Sequence, residues 1–313
     1  MWNELTLGFL IALGSAVCWA LLDVSRKELG RKMTATGAVA GLMLLHLLYL
    51  NPVLVAGTVS EVGESGAMGV LLSGYPEVPG RYWVPASVSV GLNLLANLLF
   101  LRAVQVSPLS LTTPYLAFTP VFTAVVALVF LGQVPTVAGW VGISIVCGGA
   151  FMMNPGDKED GVWAPVKALW TERGSLYMVI VALLWSITPV LDKTASEMTN
   201  PLWHTMVLAG GVGVIFGVWR WGRDRSLRPL VEEFRVVPVV LVLGGLFAVG
   251  AMVLQLISYA YVDVAYVETI KRAVGVTAAI MAGYFLFGER DLLRRLVGAL
   301  VMVVGVALIL MAG

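Results

Sequence analysis

VAYVETIKRAVGVTAAIMAGYFLF (264–287) is an apolar stretch with Glu268, Lys271 and Arg272 set inside it. About 20 residues rising 1.5 Å each cross the hydrocarbon of a bilayer, so its length reads as a membrane span. A charge at that depth costs about 2.5–3.5 kcal/mol on insertion scales, and such residues face a cavity or a partner rather than lipid. Three of them within five residues, one helical turn apart, exceed what packing normally carries. The stretch therefore points both to the solvent of the chain and to the place of its chemistry.

The flanking sequence repeats the pattern. Of 313 residues, 59% are hydrophobic and 12% charged, against about 25% charged in a soluble domain. That much apolar surface cannot be folded inside one soluble core. Ten runs qualify as spans: 7–24, 37–57, 84–101, 109–131, 137–154, 176–191, 202–219, 237–261, 264–287 and 292–311. The expected fold is an all-α polytopic membrane protein with ten transmembrane helices. Nothing basic precedes the first run and no small-x-small site follows it, so it is expected to stay as a span. Cys18 and Cys147 fall inside spans and read as packing residues. Small-xxx-small pairs, Gly37/Gly41, Ser144/Gly148 and Gly213/Gly217, predict close helix approach. The glycines of 210–217 follow no strand and carry no dinucleotide-binding reading.

Basic residues are distributed unevenly. The loops after odd-numbered spans hold Arg26, Lys27, Arg31, Lys32, Arg102, Lys158, Lys167, Arg173, Arg220, Arg223, Arg225, Arg228, Arg235, Arg290, Arg294 and Arg295, out of 20 Lys and Arg in all. The loops after even spans hold only Arg81 and, marginally, Lys193. The positive-inside rule then places both termini outside and the loop 58–81 with them.

The chain also repeats itself. Trp19 and Lys27 in span one match Trp185 and Lys193 in span six, while LGQVPTVAGWVG (131–142) matches FGERDLLRRLVG (287–298) and Gly149 falls on Gly305. Five spans per half is an odd number, so the two copies run in opposite orientations. Inverted repeats of this kind belong to secondary transporters, with the substrate site near the midplane. The expected organisation is a first five-helix repeat over 1–155, a linker over 156–174 and a second repeat over 175–313. Within the linker, GVWAPVKALWT (161–171) has Trp163, Val166 and Trp170 at helical spacing and predicts an interfacial helix.

On these residues the chain resembles the EamA-type permeases of the drug/metabolite transporter superfamily. The resemblance runs through Trp19 and Trp185, SPLSLTTPYLAFTPVFTAVVALVFLGQ (107–133) and VAYVETIKRAVGVTAAIMAGYFLFGE (264–289), and covers essentially the whole chain. It implies a carrier working by alternating access, and in many members of the group cytoplasmic termini, opposite to the charge count. The Lys-Arg pair of ETIKRAVGV (268–276) is similar to one in the triose-phosphate translocator branch, where the pair binds the substrate phosphate. It implies that Lys271 and Arg272 hold a phosphate or carboxylate; Arg offers a planar fork and Lys a compact point charge. That branch carries a further basic residue in span four, and Tyr115-Leu116-Ala117 has none, so an oxyanion rather than a phosphate in particular is expected.

Helical spacing adds further candidates. Pro114 and Pro120 interrupt span four opposite its repeat partner, which is a pointer to a transporter site. Asn93 and Asn97 share one face of span three, and Gln255 and Tyr259 one face of span eight, with Asn97 falling on Gln255 in the repeat. Asn97, Tyr115, Gln255 and Tyr259 are expected to join Lys271, Arg272 and Glu268 around one cavity, with Asn93 behind them. Asp23, Trp19, Trp185 and Asp192 form a secondary set. Each has a structural alternative. Glu268, Lys271 and Arg272 can close as an ion cluster, and the amides can serve as interhelical hydrogen bonds typically worth under about 1 kcal/mol. Asp23 and Asp192 can be solvated at span ends, and the tryptophans can anchor at the interface. His46 and His204 have no second ligand at metal spacing, so no metal is expected.

The functional expectation is a secondary transporter for a small anionic or zwitterionic metabolite, phosphorylated ones included, in a bacterial-type inner (plasma) membrane. Its partners are the small-molecule substrate and membrane lipids, not nucleic acid. No nucleotide loop or nucleophile–base constellation is present, so neither an enzyme nor a cofactor is expected. Exchange or facilitated movement is favoured over proton coupling, for which Glu268 is the natural carrier, because Lys271 and Arg272 hold it ionised. The alternatives are an exporter of amino acids or cationic drugs, with Glu268 or Asp23 as ligand, and a flippase for lipids or lipid-linked sugars. The orientation is checked directly in a Cys18→Ala/Cys147→Ala background. An impermeant maleimide should label Glu77→Cys on intact cells and Arg225→Cys only after permeabilisation.

Overall fold

The side-chain pattern leaves the backbone little choice, because apolar surroundings force each segment to satisfy its own hydrogen bonds and helices do so. The computed structural model describes residues 4–60, 69, 73–106, 113–153, 173–287 and 292–312. Among them lie eleven α-helices: α1 (Glu4–Leu29), α2 (Ala35–Ser60), α3 (Trp83–Val106), α4 (Thr119–Leu131), α5 (Val137–Met153), α6 (Arg173–Glu197), α7 (Pro201–Asp224), α8 (Arg228–Val236), α9 (Pro238–Ser258), α10 (Val264–Phe287) and α11 (Leu292–Ala312). Two 3-10 segments, Gly80–Tyr82 and Thr113–Phe118, precede α3 and α4. Six helices are long and apolar enough to cross a bilayer, and shorter apolar helices cover 115–131, 137–150 and 297–311. The expected interfacial helix at 161–171 lies outside the described residues.

Helix ends follow local chemistry. Asn200 caps α7 by accepting the Trp203 N–H at 2.8 Å, with Pro201 at the first helical position. Thr34 and Thr136 stand just before α2 and α5, and each hydroxyl accepts from a glycine amide three residues on, Gly37 at 3.1 Å and Gly139 at 3.0 Å. Gly132 ends α4 in the left-handed region, at φ 67°. Span four is interrupted, as its prolines predict: the 3-10 segment carries Pro114, and α4 restarts with Pro120 in its first turn. Span eight ends at Ser258 rather than at 261, so Tyr259 belongs to a turn.

The chain divides into two compact units, each drawing on both halves of the sequence. One comprises 1–13, 91–191 and 259–313; the other comprises 14–90 and 192–258.

The most extensive packing in the first unit joins α5 to α11, the last spans of the two repeats. A Cβ added at Gly142 would lie 2.7 Å from the Gly305 carbonyl oxygen, and one added at Gly305 would lie 2.7 Å from that of Gly142. One added at Gly149 would lie 2.8 Å from the Gly298 carbonyl. Rising numbers on α5 thus meet falling numbers on α11. The repeat-equivalent helices run antiparallel, with backbone against backbone, and small residues allow that approach where no hydrophobic force drives association.

The second unit is built the same way from α2 and α7. Gly210 faces Leu47, and Gly213 faces the backbone at Met43 and Leu44, again antiparallel between equivalent spans. Of the expected small-residue pairs, Gly37/Gly41 sits against Glu233 and Phe234 of the short helix α8, and only Gly213 of its pair makes a close contact. Gly148 has open space beside it, and Gly142 and Gly149 carry the crossing on α5 instead.

One end of the second unit is fastened by a buried cation. Arg220 donates to Glu233 and Thr34 at 2.8 Å each and lies 3.1 Å from Asp224. Glu233 also accepts the Thr34 amide at 3.1 Å. This ties α8 and the end of α7 to the turn between α1 and α2.

Gly142→Val and Gly305→Val should each lower stability by about 1–3 kcal/mol or more, since neither facing carbonyl can yield. Gly148→Ala, with nothing nearby, should stay within about 0.5 kcal/mol. Thermal melting of purified protein in detergent reads the difference.

Candidate functional site

The charged turn of α10 does not face lipid. Every residue from Val264 to Ile270 is buried, so this part of the helix is enclosed on all sides within its own unit. Its start is capped by a side chain from the first repeat, with the Val264 amide donating to Gln133 Oε1 at 3.2 Å. Tyr266 performs the reverse service, its hydroxyl accepting the Thr136 amide at 3.1 Å.

Glu268 is 3% exposed, and both carboxylate oxygens are used. Tyr259 donates its hydroxyl to Oε1 at 2.8 Å, and Lys271 Nζ lies 2.5 Å from Oε2. Because Tyr259 sits in the turn between α9 and α10, it reaches back along the helix to a residue nine positions on. The Lys271 side chain remains 24% exposed, and Arg272 is also half-buried. Arg272 Nη2 lies 3.4 Å from Thr119 Oγ1, a long contact, at the point where α4 restarts after the interruption. Ala117 packs with Ala273 in one core cluster. The interruption of span four therefore meets α10 at the Lys-Arg pair, which is the meeting the prolines predicted. Two cations and one carboxylate leave this turn of α10 with a net positive charge suited to an oxyanion.

The remaining candidates divide between the units. Tyr115 is buried with Ala96, Ala103, Met178 and Val181, against which Trp185 also packs. Trp185 stacks at a tilt on Phe100, 5.8 Å between centroids. Asn97 donates its amide to the Asn93 carbonyl at 2.7 Å, one turn back on α3. These four lie in the unit that holds Lys271, Arg272, Glu268 and Tyr259.

Gln255, Trp19, Asp23 and Asp192 lie in the other unit. The Trp19 indole N–H donates to Gln255 Oε1 at 2.7 Å, and the Ser15 hydroxyl donates to the Ala251 carbonyl at 2.7 Å, so α1 and α9 are joined by two polar contacts one turn apart. Asp23 is half-exposed and paired with Arg26 at 3.0 Å, while the Arg26 guanidinium also lies over the Trp19 ring.

Asp192 is buried rather than solvated. It accepts the Ser89 hydroxyl at 2.5 Å and lies 3.2 Å from His204 Nε2. The other ring nitrogen of His204 is 3.1 Å from the Tyr82 hydroxyl. His204, a lone histidine in the sequence, thus stands between a carboxylate and a phenol. Two signals were available for it: Asp192 lies one turn before the end of α6 and His204 in the first turn of α7, and the intervening Asn200-Pro201 start brings two such positions side by side. Thr119 was missed as well, although its place beside Pro120 marked it. Among the described residues no group of three or more His, Cys, Asp and Glu could hold a metal ion.

The geometry can be set beside known proteins. The profile of the EamA-like transporter family matches residues 6–154 and again 172–311. A solved crystal structure superposes over 97% of this chain and 97% of its own, with a TM-score of 0.70 and 16% identity, which shows a shared fold. The probable 4-amino-4-deoxy-L-arabinose-phosphoundecaprenol flippase subunit ArnE of Yersinia pestis (strain Pestoides F) is 35% identical over 74 residues, 24% of this chain. The same protein from Yersinia pseudotuberculosis (strain YPIII) aligns equally. The match spans 62% of the length of these relatives. Two family matches in tandem, the antiparallel packing of repeat-equivalent helices and an all-α membrane architecture agree: the chain belongs to the EamA-like transporter family of the drug/metabolite transporter superfamily.

Proposed function

We propose that the chain is a secondary carrier for a small anionic or zwitterionic metabolite, with Lys271 and Arg272 as the oxyanion ligands. The observation that carries this reading is the asymmetry around α10. Glu268 is wholly buried and bonded through both oxygens, while the two cations beside it keep exposed side-chain surface. A cluster that served only to fasten helices would bury all three charges together. Glu268, held by Tyr259, positions the Lys271 ammonium; Arg272, half-buried beside the broken start of α4, supplies a planar fork. Asn97, Tyr115, Asn93 and Trp185, which share the unit of the charged turn of α10, complete the proposed cavity. Movement proceeds by alternating access in a bacterial-type inner membrane.

The likeness to an undecaprenol-linked sugar flippase subunit favours one second reading. There the oxyanion is the phosphate of a lipid-linked sugar, held by the same two cations. An exporter of cations has no comparable support, since Glu268 is occupied by Tyr259 and Lys271.

Thermal stabilisation of purified protein across phosphorylated, carboxylated, zwitterionic and cationic metabolites, and polyprenyl-phosphate sugars, separates these readings. A ligand at 100 times its Kd adds about 2.7 kcal/mol. Stabilisation by anions that vanishes in Lys271→Gln/Arg272→Gln is expected, and the soluble or lipid-linked identity of the stabilising compound chooses between carrier and flippase. Cation-induced shifts that survive the double substitution would sink both.

Lys271→Gln alone should destabilise the protein, because it strips a buried carboxylate of its charge partner. Adding Glu268→Gln should recover most of that loss without recovering anion binding.

A further inference from the structure

The end of the second unit that Arg220 fastens carries an excess of positive charge. Segments 23–36 and 219–236, joined there through Thr34 and Glu233, hold nine Lys and Arg against five Asp and Glu. Around the bend between α7 and α8 the acids are turned inward. Asp224 and Glu233 are both committed to the buried Arg220, at 3.1 and 2.8 Å. Glu232, on the outer side of α8, pairs with Arg228 at 2.9 Å. Arg223 comes no nearer to Asp224 than 3.8 Å, and its guanidinium lies over the Trp219 ring, 5.7 Å from the centroid. Arg225 and Arg235 are exposed. The compensated charge is therefore inside and the surplus cations are outside.

The backbone gathers those cations. α7 ends at Asp224, and Arg225 takes a left-handed conformation at φ 53°, which no other non-glycine residue does among the described residues. Glycine adopts that conformation freely and a side chain strains it, so an arginine is kept at the bend against local preference. The Arg228 amide then donates to the Ser226 hydroxyl at 3.1 Å, and α8 starts at once with Leu230 turned into the protein. Arg223, Arg225 and Arg228 crowd a single reversal of the chain.

The surface around them is apolar. Val214, Val218 and Trp221 form an exposed stripe of α7 at helical spacing that leads to Arg225, and Leu227 and Val231 at the start of α8 are exposed as well. A face meant for water would not carry that stripe, and one meant for hydrocarbon would not carry arginines. Tryptophan and arginine above valine and leucine is the composition of the headgroup boundary, where rings lie at the interface and guanidinium groups reach outward. The opposite charges available at that depth are lipid phosphates, which a guanidinium binds through paired hydrogen bonds.

We propose that the α7–α8 bend is a docking surface for the phosphodiester headgroup of an anionic phospholipid. Arg223 and Arg225 are its ligands, and Arg235 extends the positive surface along α8. The lipid is a resident of the leaflet rather than cargo. The surface shares no residue with Lys271 and Arg272, so it holds or fails without the carrier reading.

The test uses the full chain with Cys18→Ala/Cys147→Ala and a single bimane-labelled cysteine. Gly222→Cys places the label at the bend, where an added Cβ finds no atom within 4 Å. Gly80→Cys, equally open, is the control at the other end of α7, since the adjoining Tyr82 meets His204 in the first turn of that helix. Each protein is placed in phosphatidylcholine nanodiscs doped with spin-labelled phosphatidylglycerol or with phosphatidylcholine spin-labelled on the same acyl chain. A basic residue near an anionic surface contributes about fivefold to binding. The Gly222 label should accordingly be quenched at least about threefold more by the anionic lipid, and the Gly80 label equally by both. The preference should fall toward one in about 0.5 M NaCl, because exposed charges are screened. It should fall likewise in Arg223→Gln/Arg225→Gly, whose glycine suits the left-handed bend; the salt titration serves if that variant does not fold. Equal quenching at Gly222, a preference unmoved by salt, or the same preference at Gly80 overturns the proposal. Inorganic phosphate should remove no more of the preference than chloride at matched ionic strength. If it removes all of it, the bend takes free phosphate and the lipid assignment fails.

Discussion

Backbone contact at glycine is the constraint on which the structure rests. Gly142 and Gly149 of α5 meet Gly305 and Gly298 of α11 so closely that no side chain fits between the carbonyls. The four positions are repeat-equivalent, 142 with 298 and 149 with 305, and each contacts the other copy's partner. That reciprocity is what an approximate two-fold axis between antiparallel helices produces. In lipid, where helix association depends on van der Waals contact rather than on apolar burial, only small residues bring two backbones near enough. The α2–α7 pair, crossing at Gly210 and Gly213, applies the same solution in the other unit. Each compact unit is thus seeded by one helix from each repeat.

With the helices placed, the buried charges sort by how they are compensated. Arg220 is 6% exposed and is met by Glu233, Asp224 and Thr34, a closed arrangement that fastens α8 and the turn between α1 and α2. Glu268 is equally buried and equally bonded, but the Lys271 side chain that meets it keeps 24% of its surface exposed. Asp192 is met by the Ser89 hydroxyl and by His204 Nε2. The first pattern is what structural glue looks like in a medium where an uncompensated charge costs several kcal/mol. The partly exposed cations beside Glu268 depart from that pattern, and this departure, more than the presence of charge, sets the proposed site apart from packing.

Much of this was legible in the residues. Length and hydropathy predicted the spans, because a helix is the only open-chain structure that lipid permits. The prolines of span four predicted its interruption, because each removes a donor and strains the turn before it. Repeat matches at 131–142 and 287–298 placed Gly142 on Gly298 before any contact was known. What spacing could not provide was the partner across helices. Asn97 and Gln255 are equivalent in the repeat, yet one amide turns back to Asn93 and the other takes the Trp19 indole. Equal depth does not imply equal neighbours.

The histidines make the same point. His46 and His204 look alike in sequence, each isolated in an apolar run. The distinction arises because a short turn starting at a capped Asn200-Pro201 sets His204 beside Asp192, and a chain entering α3 brings Tyr82 and Ser89 to the same place. By itself the sequence determined the solvent, the helices, the internal repeat and the charged turn of α10, since each depends on composition or on spacing along one segment. Tertiary structure alone decided which glycines touch, which cations keep exposed surface and which lone histidine acquires a carboxylate, since those depend on where a second helix runs.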